Sequence, residues 1–193
     1  MSALSPTALS TCVREVAEFV HSAGWDQPPQ LFALVPTAEL LQQEPAVAAT
    51  ITPGAELTPV AQEGLPGGSD GQPAALDAAL AAIQWPDAVA GCVLVQEVLI
   101  LPPAAEDELD AAVRSAEHDH APSAEQAAVR LAATHPDRQE ARLVAAVLRA
   151  GASLCLLQLR GADTADRTGS PELLEHADLA PNLVAALHAT FGV

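Results

Sequence analysis

Apolar residues recur every three or four positions near both ends of this chain. The first stripe follows Ser5 and Pro6, which form a helix-start signal, and consists of Leu9, Cys12, Val13, Val16 and Val20. It predicts an amphipathic helix over residues 6–22. The last stripe follows Asp178, a residue suited to capping, and consists of Leu183, Val184, Leu187 and Phe191. It predicts a carboxy-terminal helix that docks on the core.

Two apolar runs in the first hundred residues have the composition of buried strands. The short run Leu31–Val35 ends at a proline, and the long run Val89–Leu101 is interrupted only by Gln96 and Glu97. Aliphatic and β-branched residues in such runs favour a strand. The polar pair breaks the alternation and predicts a bulge or an open face in the middle of the long strand.

A β-hairpin is predicted in the second half of the chain. Residues 139–149 fit either a helix or one face of a strand. The following segment 150–153 has turn chemistry, and residues 154–160 form another aliphatic run. A strand, a turn and a second strand are therefore favoured over a helix.

The remaining segments complete a mixed fold. Helices are predicted over residues 37–41, with Thr37 as the cap, and over 76–83, 105–117 and 123–134, with a helical turn from Ser170. Between residues 52 and 73, nine of 22 residues are glycine or proline, which predicts a long loop. Regular strand-helix alternation is missing, so we predict a single α+β domain over residues 1–193. Its antiparallel sheet should have about four strands flanked by amino- and carboxy-terminal helices.

Charge and composition exclude several classes of function. The chain has no lysine, so Schiff-base chemistry and a lysine-containing phosphate-binding loop are excluded. Its net charge of −17 disfavours binding to nucleic acids or anionic membranes. Residues 1–113 contain 15 acids and one arginine, whereas residues 114–193 contain ten acids and seven arginines. No signal peptide or membrane span is recognisable, and we expect a cytoplasmic protein.

No catalytic centre, metal site or cofactor site emerges from the motifs. Glu117-His118-Asp119-His120 is the densest group of metal-ligand types, but two histidines do not define a site, and a solvated helix end explains them. A serine nucleophile elbow is absent from the sequence. Cys12, Cys92 and Cys155 lie among apolar neighbours and are predicted to be buried thiols of low reactivity.

A small set of polar and aromatic residues remains as a candidate binding site. Glu97 interrupts an apolar strand and needs a partner, for which the sequence offers Arg142, Arg149 and Arg160. Trp25 and Trp85 each lie at a predicted helix end near proline and are either core residues or anchors for a partner protein, and Trp25 is the better candidate for an anchor. The candidate binding residues are Trp25, Asp26, Glu39, Glu97, Arg142 and Arg160. We predict a non-catalytic binding or adaptor protein that contacts another polypeptide. The alternative is an enzyme or small-molecule-binding protein with a polar pocket on the sheet face.

The segment Gly24–Leu41 reads GWDQPPQLFALVPTAELL. It resembles the amino-terminal signature of a conserved, uncharacterised actinobacterial family. Shorter stretches of the same resemblance include Leu57–Val60, Ile83–Pro86, Leu101–Pro103 and the hairpin from Arg142 to Arg160. The resemblance implies a cytoplasmic actinobacterial protein. It implies no activity and no catalytic residues, because the family has none assigned.

Overall fold

The structure is a computed structural model. The described residues are 4–5, 7–63, 65, 73–102, 105, 110–111, 114, 129, 131–161, 173–176 and 179–192. The helices predicted over 105–117 and 123–134 lie mostly outside these residues. Glu117–His120, Ser170 and Asp178 lie outside them as well.

The centre of the fold is one antiparallel sheet of six strands. In chain order these strands are β1 (Gln30–Pro36), β2 (Leu57–Ala61), β3 (Gly91–Ile100), β4 (Gln139–Leu148), β5 (Ser153–Leu159) and β6 (Leu174–Glu175). They lie side by side in the order β2-β1-β3-β4-β5-β6. The predicted α+β class and antiparallel sheet are confirmed, but the predicted number of about four strands is too low.

The two additional strands are the short ones at the edges of the sheet. β2 lies inside the segment that is predicted as a loop, and it contains Pro59. Proline is compatible with an edge strand, where its missing N–H can face away from the neighbouring strand. β6 has only two residues and pairs with Leu156 and Leu157 of β5. Neither strand has the apolar run that identifies the four inner strands.

Helices cover both faces of the sheet, and the long strands are therefore apolar on both sides. The described helices are α1 (Ala8–Ser22), α2 (Thr37–Gln43), α3 (Pro73–Ala81), a 3-10 helix (Pro45–Ala49) and α4 (Pro181–Ala189). The apolar stripe of α1 packs on one face, against residues such as Phe32 and Val93. Leu80 of α3 and Leu187 of α4 pack on the opposite face, against residues such as Leu94. We call these the α1 face and the α4 face.

Two local details differ from the prediction. Of the two alternatives for Gln96 and Glu97, the bulge is wrong, because β3 and β4 pair residue by residue from Gly91↔Leu148 to Ile100↔Gln139. Thr37 does not cap α2: Pro36 holds that position, and the Thr37 hydroxyl lies 2.9 Å from the Thr58 hydroxyl of β2. A hydrogen bond between adjacent elements thus replaces the predicted cap.

The second tryptophan belongs to the core. Trp85 stacks on Phe191 with 6.1 Å between ring centroids, and its indole N–H donates to the Thr190 hydroxyl at 2.9 Å. These contacts fasten the carboxy-terminal end of the chain to the segment that enters β3. Within the described part of the chain, no helix is long and apolar enough to cross a membrane.

Candidate functional site

Polar residues on the α1 face meet beneath the loop that connects α1 to β1. Glu97, Arg142 and Gln158 lie side by side on β3, β4 and β5, because the register pairs Arg142 with both of the others. They continue the same face as Val95 and Val144 but lie past the part of the sheet covered by apolar residues of α1. We call this group, together with the loop residues above it, the Arg142 cluster: Trp25, Asp26, Glu97, Glu140, Arg142, Gln158 and Arg160.

Arg142 is the buried centre of the cluster, with 1% of its side chain exposed. Its guanidinium donates to the Gly24 carbonyl, to Glu97 Oε1 at 3.3 Å and to Gln158 Oε1 at 3.3 Å. The Trp25 ring lies over the guanidinium, 4.5 Å from its carbon to the ring centroid. A buried cation needs such a set of acceptors to offset its lost hydration.

The Glu97 carboxylate binds backbone N–H groups of the loop between α1 and β1. Its two carboxylate oxygens accept from the Asp26 N–H at 3.1 Å and from the Gln27 N–H at 3.2 Å. Asp26 has a φ of 65°, a left-handed conformation that is uncommon outside glycine, asparagine and aspartate. The carboxylate therefore compensates for a loop conformation that few residues adopt without support.

Arg160 closes the solvent side of the cluster. It donates to both carboxylate oxygens of Asp26, at 2.9 and 3.0 Å, and to Glu140 at 2.6 Å. The hydrogen bond from Arg160 lowers the pKa of Asp26 below its ordinary value. Because the pKa of Asp26 is lower in the folded than in the unfolded protein, the pair stabilises the fold at pH values above the ordinary aspartate pKa. This stabilisation is lost as the pH falls through the folded-state pKa.

The structure thus brings together five of the six predicted binding residues: Trp25, Asp26, Glu97, Arg142 and Arg160. Glu39 is the exception, because it lies in α2, beyond the opposite end of β1. Arg149 is also remote from Glu97 and donates to backbone carbonyls of Trp85, Pro86 and Val89. The charged side chains of the cluster bind one another and the loop. The group fixes the α1–β1 connection in place.

A second candidate site is a mostly apolar groove on the α1 face, near the β2 edge of the sheet. Its volume is about 470 Å³, which lies within the about 300–1,000 Å³ of typical ligand sites. Phe19 of α1, Leu40 of α2 and Pro59 of β2 belong to its lining. Glu15 is its one ionisable lining residue, and it accepts a hydrogen bond from the Thr52 hydroxyl at 2.7 Å.

Phe19 is the most conspicuous residue of the groove. The residue is 59% exposed although it is large and apolar. Its ring meets Phe32 edge to face, with 6.2 Å between centroids, and this contact holds it at the groove. Sequence reasoning missed the groove. The available signal was the position of Phe19 on α1, outside the apolar stripe that packs on the sheet.

The three cysteines are buried, as predicted. Burial is the main cause that raises the pKa of Cys12 and of Cys92 to about 12. We expect native protein at neutral pH to react with a thiol reagent only as fast as it unfolds, because thiolate is the reactive form. The measurement is the rate of labelling by a chromogenic disulfide with and without denaturant. Rapid labelling of two or three thiols in the native state would contradict the prediction.

No group of three or more histidine, cysteine, aspartate or glutamate side chains is arranged among the described residues to hold an ion. His135 is buried, and its Nδ1 accepts from the Asp137 N–H at 3.1 Å, so it stabilises a turn before β4.

Comparison with known proteins gives one match that covers nearly the whole chain. A family model with the description PPA1309-like protein matches residues 9–192. No curated protein and no solved structure matches the chain significantly. The family description states no activity, so it assigns no role to the cluster or to the groove.

Proposed function

We propose that this chain, which belongs to the PPA1309-like protein family, is a non-catalytic binding protein that holds an apolar segment of another polypeptide in the groove. The observation that carries the proposal is the groove itself, with a half-exposed phenylalanine at its lining. Aromatic residues in such positions are often the anchors of protein interfaces. The cytoplasmic location and actinobacterial origin predicted from the sequence are part of this proposal.

The internal pairing of the Arg142 cluster favours the groove over a polar pocket. Arg142 directs its guanidinium at three acceptors of the protein, and Glu97 receives two backbone N–H groups in addition. A polar ligand would have to displace these contacts, and each displacement leaves a charge without its partner. The groove offers apolar surface that can be covered without breaking an ion pair.

Site-specific photo-crosslinking tests the proposal directly. A photoreactive amino acid replaces Val60, a groove residue that is 36% exposed, in the full chain expressed in its source cells. The control replaces Leu99, which is 40% exposed and is not a groove residue. We expect position 60 to link to one defined polypeptide segment, identified by mass spectrometry, and position 99 not to link to it.

The linked segment is then synthesised and titrated against purified protein. Phe19→Ala should weaken its binding about tenfold or more, because the variant loses an aromatic anchor. Leu99→Ala should leave the affinity unchanged. The proposal is overturned if groove positions link to no polypeptide, or if Phe19→Ala binds the segment as tightly as the parent protein. A groove that takes up only small apolar molecules, and no polypeptide, would likewise overturn the proposal.

A further inference from the structure

The groove is built from a part of the chain that carries acids but no lysine or arginine. Residues 15–63, which contain all groove residues, include seven acids and no lysine or arginine. On α1, Glu15 lies in the groove and Glu18 follows three positions later, which places both on neighbouring surface of the helix. The nearest arginine in sequence, Arg14, is bonded to Glu175 of β6. An occupant of the groove therefore meets apolar surface with a negative border.

The edge of β2 next to the groove is poorly suited to accept another strand. The Gln62 N–H donates to the Leu31 carbonyl, and the Thr37 N–H donates to the Glu56 carbonyl. Residues 56 and 62, which flank β2, are therefore hydrogen-bonded positions of the ladder with β1. Alternation along an antiparallel ladder then turns the backbone groups of residue 59 away from β1. That residue is Pro59, which has no N–H to give. A strand added at this edge would find no N–H donor at the central residue of β2.

We infer that the occupant of the groove is an amphipathic helix with a basic polar face. This inference rests on the proposed function and narrows it to one class of partner segment. Apolar side chains at helical spacing would enter the groove beside Phe19, as in other helix-in-groove complexes. Lysine or arginine side chains at the flank of that helix would face Glu15 and Glu18. The attraction between the two charged faces would also raise the association rate.

Three designed peptides of about 18 residues, a length of about five helical turns, test the inference against the full chain. The first has leucines at positions i, i+3, i+4 and i+7 and lysines on the polar face. The second has glutamates in place of the lysines. The third has the composition of the first in an alternating strand pattern. Fluorescence anisotropy should show saturable binding of the first, with the other two at least about tenfold weaker.

Charge-neutral variants separate the role of the acidic border from that of net charge. The double variant Glu15→Gln, Glu18→Gln should bind the lysine peptide about fivefold more weakly, and its binding should depend less on salt concentration. The amide oxygen introduced at position 15 can still accept the hydrogen bond of Thr52. The matched control is Asp77→Asn, Asp87→Asn, which removes two exposed charges in α3 and before β3 and should change the affinity less than about twofold.

The outcomes distinguish this inference from the proposed function. If the alternating or the glutamate peptide binds as tightly as the lysine peptide, or if the lysine peptide does not bind, the helix inference is overturned. An unchanged affinity in the Glu15, Glu18 variant overturns the charge argument in the same way. The cross-linking at Val60 depends on neither helicity nor charge. Its failure, and not that of the peptides, therefore marks the failure of polypeptide binding.

Discussion

Arg142→Met should lower the free energy of unfolding by about 3–5 kcal/mol, the cost of breaking a buried ion pair from one side. The side chain is 1% exposed and donates hydrogen bonds to Glu97, to Gln158 and to the Gly24 carbonyl. Methionine fills similar space but leaves these acceptors without their donor. Arg142→Lys keeps the charge but loses the fork of donors, so an intermediate loss is expected. Urea denaturation monitored by circular dichroism measures both.

Arg160→Gln is the matched control for this prediction. Arg160 also lies over the Trp25 ring and also pairs with carboxylates, but 37% of its side chain is exposed. Exposed ion pairs contribute little, so the loss should be much smaller than for Arg142→Met. The loss in Arg142→Met should shrink when Glu97→Gln is present in the same chain, because the two side chains are coupled. Equal losses for the two arginine variants would contradict the importance of burial.

Gly91→Ala should destabilise the protein by about 3 kcal/mol, because the strand pair β3–β4 has no room for a methyl group there. A Cβ at this position would lie 2.7 Å from Leu148 Cδ2 and also press on the Val147 carbonyl oxygen. That carbonyl is backbone, so relief requires opening the central ladder of the sheet. Thermal or urea denaturation of the purified variant measures the loss.

Gly54→Ala provides the comparison for Gly91. Its added Cβ would meet no atom within 4 Å, and its only penalty is a φ of 80°. We expect a loss of about 1 kcal/mol from that backbone conformation. If Gly91→Ala proves no more destabilising than Gly54→Ala, the close approach of β3 and β4 does not limit this position.

The sequence predicts the inner part of the fold because the signals there are local and strong. β3 and β5 are aliphatic runs, β4 is assigned from the turn and the run that follow it, and the first and last helices carry clear apolar stripes. β2 is different: five residues with a central proline have no strand pattern of their own. They form a strand because β1 offers backbone partners on one side and Pro59 turns its missing donor to the other. Tertiary context decides such a segment.

The candidate sites show the same division between local and tertiary information. A charged residue inside an apolar strand indicates a buried partner, and so Glu97 could be paired with an arginine in advance. The sequence could not choose Arg142, since the register of β4 against β3 depends on a long connection. Glu39 does not join the cluster, because it follows β1 in the chain, whereas Trp25 and Asp26 precede β1 and therefore lie at its other end. The groove joins segments around residues 15–19, 40–55 and 57–61, which share no periodic pattern.

The reach of Arg142 also constrains the order of folding. The Gly24 carbonyl and Arg142 are 118 positions apart, and the Asp26 N–H and its acceptor Glu97 are 71 positions apart. Contacts between such distant positions carry a loop-closure cost and slow the search for the native state. The first hundred residues contain α1, β1 and β3 but not the cation that fixes the α1–β1 loop. During synthesis, the α1–β1 loop can therefore gain its contact with Arg142 only after β4 has been made.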